Sequence, residues 1–142
     1  MKTEFSDTSI GIRRYRADDA PLLFEAARES IQELSSWMPW CHPHYSIDES
    51  SAFVSSRDAE WNKGEHYSFV VFDVKTGSFL GGVGLNFINR VHNFANLGYW
   101  IRTSHTRRGR ATAAIRFAAM FGLRELGFDR LEIVVAAGKA AS

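Results

Sequence analysis

A single cysteine, Cys41, stands in 142 residues, which excludes an internal disulfide framework and fits a reducing cytoplasmic setting. No apolar run approaches the roughly 20 residues that span a bilayer. The opening MKTEFSDTSIG has no apolar stretch of the kind a signal peptide carries. Surplus charge is also missing. The 17 Lys and Arg against 16 Asp and Glu leave a net +1, so no global field draws the chain to nucleic acid or an anionic membrane, and any positive feature is local. Proline is scarce, and two of the three, Pro39 and Pro43, fall in one segment. No repeat, low-complexity tract or linker interrupts the chain. It reads as a single soluble, cytoplasmic domain over residues 1–142.

What is present is enough apolar material for a core, 45% hydrophobic and 13% aromatic residues. Residues 9–16 alternate as a strand, with Ile10, Ile12 and Tyr15 inward. Asp18 or Asp19 then caps a helix that carries Leu23, Ala27, Ile31 and Leu34 on one face. Pro39 and Pro43 break the next stretch, where Trp37, Met38 and Trp40 cluster. Ser46 with Glu49 is a capping-box pattern for a second helix that stops at Gly64. HYSFVVFDV and SFLGGVGLNFI read as two strands joined by Lys75, Thr76 and Gly77. Gly81, Gly82 and Gly84 mark a bulge or a close backbone approach in the second of these.

A strand over 94–102, a helix over 107–126 and a strand over 130–136 follow. Their β-helix-β order predicts a parallel crossover. The helix stripe is Ala111, Ile115, Ala118, Gly122 and Leu126, with Gly127 just past its end. The order β α α β β β α β defines an α/β (α+β) fold, a mixed antiparallel and parallel sheet with helices on both faces.

The stretch that organises the rest is LGYWIRTSHTRRGRAT, residues 97–112. A strand runs into a turn loaded with arginine, and the turn opens into a helix. The first turn of a helix leaves about four N–H donors unpaired, and the helix dipole adds positive potential there. Arg107, Arg108 and Arg110 add full charges, and Gly109 has no Cβ to hold an anion away. The arrangement suits a phosphate group.

These residues resemble the GNAT family of N-acetyltransferases. ELSSWMPW followed by GYW resembles the RimJ/RimL-like branch that acetylates ribosomal-protein N-termini, and the likeness covers nearly the whole chain. The family signature, Gln/Arg-x-x-Gly-x-Gly/Ala at the start of the long helix, corresponds to Thr106, Arg107, Arg108, Gly109, Arg110 and Ala111, with Thr106 departing from it. The resemblance implies acetyl-CoA as co-substrate and no metal. The pyrophosphate would lie on the amides of Arg107 to Thr112 and the pantetheine arm on the strand edge at Trp100, Ile101 and Arg102. The backbone N–H of Ile101 would stabilise the oxyanion as a neutral amine attacks the thioester in a ternary complex.

The acceptor would be a primary amine, a small molecule or a protein N-terminal α-amine, in a pocket that includes Trp37, Trp40 and Asn96. Asn96 stands where this branch often has a catalytic glutamate, leaving His92 or a water chain as the base. Lys139 and Ser142 fall on an Asn-x-x-Ser segment that contacts CoA in the family.

Two other readings stand beside this one. The family continues into a C-terminal lobe after that segment, so the chain reads as incomplete at its C-terminus, a truncated or degenerate member that keeps the fold without turnover. The edge strand over 130–136 would then need covering, for which a homodimer is one arrangement. The other reading is nucleic-acid binding through Arg102, Arg107, Arg108 and Arg110. Cys41, His42 and His44 lack the second ligand pair of a zinc site.

Overall fold

The computed structural model describes residues 1–36, 38–102 and 109–133. Its strands are β1 (Phe5–Ser6), β2 (Ile10–Arg14), β3 (Tyr67–Asp73), β4 (Phe79–Asn89), β5 (Phe94–Ile101) and β6 (Arg130–Ile133). The helices are α1 (Asp19–Glu29), α2 (Ile31–Leu34), α3 (Ile47–Lys63) and α4 (Arg110–Met120), the last continued by a π-helical turn, Phe121–Glu125. The strands lie in sequence order in one sheet, antiparallel from β1 to β5 and parallel between β5 and β6.

Both faces of this sheet are covered, which explains why Tyr67 to Val71 in β3 are buried without interruption. On one face, α4 and its π turn bury Ala111, Ala114, Phe117, Ala118 and Phe121 against Ile12, Phe69, Leu85 and Leu97. Gly122 belongs to the same contact, since a Cβ there would lie 2.9 Å from Leu85 and 3.2 Å from Leu131. On the other face, Leu23, Ala27, Leu34 and Val54 from α1, α2 and α3 pack on Val70, Phe79 and Trp100.

The ends of α3 follow the residues that predict them. Ser46 Oγ accepts from Glu49 N–H at 3.2 Å, Glu49 Oε2 accepts from Ser46 N–H at 2.9 Å, and Gly64 closes the helix at φ +71°. The start of α1 differs from the expected cap. No side chain caps it; Asp19 is buried and takes a bidentate bond from Arg13, both contacts at 2.8 Å, together with the Arg16 N–H at 2.7 Å. The carboxylate thus ties α1 to β2.

Three expectations need correction. The first helix breaks at Ser30 into α1 and α2, so Ile31 is only partly buried. The long helix begins at Arg110, because Gly109 sits at φ +69°, a left-handed conformation that cannot continue a helix. Its buried stripe passes through Ala114 and Phe117 rather than Ile115, which is partly covered.

Candidate active site

The floor of the site comes from glycine placement. Cross-strand partners align Ser68, Gly84 and Gly98 in one row and Val70, Gly82 and Trp100 in the next. Three adjacent positions on the α1/α3 face of the sheet therefore carry no side chain. A cavity of about 470 Å³ opens over them. Rings of Tyr15, Trp40, Tyr45, Phe53 and Trp100 wall it, while Tyr99 turns its ring to the α4 face. They are braced edge to face, Trp40 on Trp100 at 5.4 Å, Trp40 on Tyr45 at 5.6 Å and Tyr15 on Phe53 at 5.4 Å between ring centres. A Cβ at Gly98 would meet nothing within 4 Å, whereas one at Gly82 would lie 2.8 Å from the Trp100 indole nitrogen.

Among the polar side chains of this lining, Glu49, His42 and His66 have partners that fix their roles. Glu49 Oε1 and His42 Nε2 are 2.7 Å apart, and His42 Nδ1 accepts from His44 N–H at 3.1 Å. With Nδ1 an acceptor, Nε2 carries the hydrogen that goes to Glu49. The bonds from His42 and from the Ser46 N–H, in that order, hold the Glu49 carboxyl below its usual range. His66 Nδ1 lies 3.3 Å from Arg57 Nη1, and a guanidinium only donates, so Nδ1 is again the acceptor and Nε2 the N–H. Burial first, and the Arg57 charge second, push the His66 pKa down and keep the ring neutral.

Beside the cavity, the β5 edge away from β4 is open beyond Leu97 among the described residues. Arg102 N–H donates to Leu80 C=O at 2.7 Å. Strand alternation then turns the Trp100 amide toward β4 as well, and aims the N–H groups of Tyr99 and Ile101 at the opposite edge. On that side, among the described residues, β6 pairs with β5 only from Phe94 to Leu97. The edge from Gly98 to Ile101, which has no strand partner among the described residues, is continuous with Gly98, Tyr99 and Trp100 of the cavity wall. The chain re-enters at Gly109, and α4 begins without a capping side chain or an acidic residue in its first turn. Its first helical bond runs from Ala113 N–H to Gly109 C=O at 3.1 Å, which leaves the amides of Ala111 and Thr112 ahead of the ladder.

The structure brings together some of the expected site residues and disperses others. Ile101, Gly109, Ala111 and Thr112 stand where an extended thioester and its phosphates could be held, and Trp40 is in the cavity wall. Trp100 and Arg102 do not offer their amides to the open edge. The Arg102 guanidinium is engaged by Glu29, with Nε at 3.0 Å, and by Phe79 C=O at 3.1 Å. Arg110 turns to Asp73, 3.7 Å away, so its charge is answered within the chain. Gly109 has open space around its Cβ position, and its left-handed φ is what calls for glycine.

Asn96 is outside the lining and holds Asn86, which is in it, through a 2.9 Å bond. His92 is exposed in the β4–β5 turn, bonded through its N–H to Asn89, and the length of β5 separates it from Ile101 by roughly 23 Å. That distance removes it as a base. Trp37, Arg107, Arg108, Lys139 and Ser142 lie outside the described residues. Cys41 is fully buried, with burial pushing its thiol up to about 11, and it does not face the cavity. Among the described residues no group of three or more His, Cys, Asp or Glu is placed to hold a metal, and no helix is long and apolar enough to cross a membrane.

A mixed sheet with a parallel β5–β6 pair beside an uncapped helix start, and an aromatic cavity on one side, is the arrangement of an acyl-CoA acyltransferase fold. The acetyltransferase (GNAT) domain matches residues 9–142. The chain belongs to this family, and with it to the acetyl-CoA-dependent N-acetyltransferases. A provisionally named ribosomal N-acetyltransferase of Bacillus subtilis, YdaF, is 28% identical over 94% of this chain and 72% of its own length. A provisionally named ribosomal-protein-serine acetyltransferase of Vibrio cholerae is 30% identical and superposes with a TM-score of 0.83 over 97% of this chain and 76% of its own. Mycobacterium smegmatis RimJ, solved with a CoA-disulfide, shares the fold at a TM-score of 0.83 and 23% identity, over 93% of this chain and 65% of its own.

Proposed function

We propose that this protein transfers the acetyl group of acetyl-CoA to a primary amine, the α-amine of a protein or peptide N-terminus. The observation that carries the reading is the β5 edge from Gly98 to Ile101, which has no strand partner among the described residues and is shared between the cavity wall and the approach to α4. Pantetheine lies along that edge as an added strand, bonded to Tyr99 and Ile101, and the pyrophosphate rests on the amides from Gly109 to Thr112. The Ile101 N–H takes the charge that develops on the thioester oxygen when the amine attacks. The resulting nitrogen loses its proton, the tetrahedral intermediate expels CoA as thiolate, and the acetamide leaves.

The choice of acceptor class rests on the bases found among the described lining residues. Glu49 is held ionised by two donors, and the His66 ring presents an N–H rather than a lone pair. An α-amine, with an ordinary pKa near 8, is substantially neutral at mildly alkaline pH and can shed its last proton to water. A lysine ε-amine, near 10.4, would need a stronger base than these side chains provide. The names of the Bacillus and Vibrio relatives agree with a ribosomal-protein N-terminus.

CoA release from acetyl-CoA, measured with a peptide whose only amine is its N-terminus, tests the reading. Release is expected with the free peptide and not with the same peptide N-acetylated beforehand. Equal release from both would contradict it.

A further inference from the structure

The cavity carries more information than its size. Its lining is aromatic and aliphatic, yet one carboxylate, Glu49, reaches it, and no lysine, arginine or second acid stands among the described lining residues. Glu49 is held in place at both oxygens, by His42 Nε2–H at 2.7 Å and by the Ser46 N–H at 2.9 Å. Each oxygen keeps a lone pair for a ligand. His42 has its other nitrogen taken by the His44 N–H, so it orients the carboxylate and does not compete for a proton. The braced rings of Trp40, Tyr45 and Trp100 line the same cavity. Fixed aromatic walls of this kind match apolar groups and the cations next to them.

Resting on the N-acetyltransferase reading above, we propose that the cavity selects an acceptor bearing one positive charge beside an apolar or aromatic group, with Glu49 as the counter-charge. An N-terminal Phe, Leu or Met peptide fits this description. A polyamine or aminoglycoside does not, because its further ammonium groups would enter an apolar lining with no carboxylate to meet them. An N-terminal Asp peptide brings a carboxylate against Glu49. The charge that Glu49 faces is present on the arriving ammonium, and it reappears on the nitrogen once the neutral amine has attacked.

Quenching of tryptophan fluorescence, with Trp40 and Trp100 in the wall, reads acceptor binding without turnover. A peptide beginning with Phe is expected to bind at least about tenfold tighter than one beginning with Asp, and tighter than spermidine. Glu49→Gln keeps the size of the side chain, removes its charge and can keep only one of the two accepted bonds, that from the Ser46 N–H. It should weaken the Phe peptide about tenfold and abolish the salt dependence of its binding, in a protein whose melting curve shows it still folded at the assay temperature. Spermidine binding as tightly as the Phe peptide, or Glu49→Gln binding that peptide as wild type does, overturns the proposal. Selective binding without acetyl transfer would instead count against the function proposed above and leave this selectivity standing.

Discussion

At the scale of single residues, Gly98 and Gly81 separate function from folding. The Cβ of Gly98 would point into open space, whereas the Cβ of Gly81 would lie 2.1 Å from the Trp100 carbonyl oxygen, backbone that cannot move aside. Gly98→Val should therefore fold with stability within about 1 kcal/mol of wild type, because a β-branched residue suits a strand. Its side chain fills the cavity floor, and kcat/KM should fall by at least about tenfold. Gly81→Ala should lose about 2 kcal/mol or more. Thermal melts and steady-state rates on the pair check both; a Gly98→Val enzyme with wild-type kcat/KM would show that the floor is not where the acceptor sits.

Some of these residues were legible in the sequence and some were not. Gly81, Gly82 and Gly84 announce a close backbone approach, and Gly81 makes it. Gly98 in a Gly-Tyr-Trp run shows its cavity role only when its row partners Gly84 and Ser68 are known, since register is a long-range property. Glu49 is readable as a capping residue, and its second role depends on where the irregular chain around His42 folds back. His92 was attractive as an unassigned histidine, but it sits at the wrong end of β5.

At the scale of elements, the start of α4 gives a test in which two effects have opposite signs. Thr112 is exposed in the first helical turn. An acidic residue there stabilises the helix by about 0.3–1 kcal/mol through the dipole, and it repels a pyrophosphate bound at the same amides. Thr112→Glu should raise the melting temperature slightly and weaken acetyl-CoA by about tenfold or more. Melting and titration of one variant check both signs, and unchanged acetyl-CoA affinity would move the phosphates elsewhere.

The attachment of α1 to β2 gives a second test. Burial pushes the Asp19 carboxyl up, but the Arg13 bonds and the Arg16 N–H outweigh it and hold the group below its usual range. A depressed pKa contributes stability that is present above the unfolded value of about 3.9 and lost as pH falls through the folded value. Asp19→Asn should cost about 1.5–3 kcal/mol at pH 7, because the half-buried Arg13 loses its charged partner. The difference from wild type should shrink as the pH drops below about 4, as urea melts across that range would show. The ends of α3, the β3–β4 turn and the parallel β5–β6 pair follow from local residues. The α1 start does not, because an aspartate before a helix serves equally as a cap or as an ion-pair partner for a strand residue distant in space.

At the scale of the whole molecule, the near-neutral charge and the pairing of Arg102 with Glu29 and of Arg110 with Asp73 weigh against a nucleic-acid surface. They favour a small anionic cofactor held by backbone amides. An α-amine acceptor should give kcat/KM that rises with pH and levels near 8, the pKa of the free amine, and continued rise toward about 10 would point to lysine side chains instead. The element order made the fold and the cofactor class legible, because local strand, helix and turn signals determine them. The acceptor was not, because its cavity is assembled from five elements and an irregular segment.

Acetyl-CoA is proposed to lie between the β5 edge beyond Leu97 and the start of α4. Isothermal titration of acetyl-CoA into the protein tests it most directly. Saturable heat at one site per chain is the expected result, and no binding at high-micromolar acetyl-CoA would contradict it.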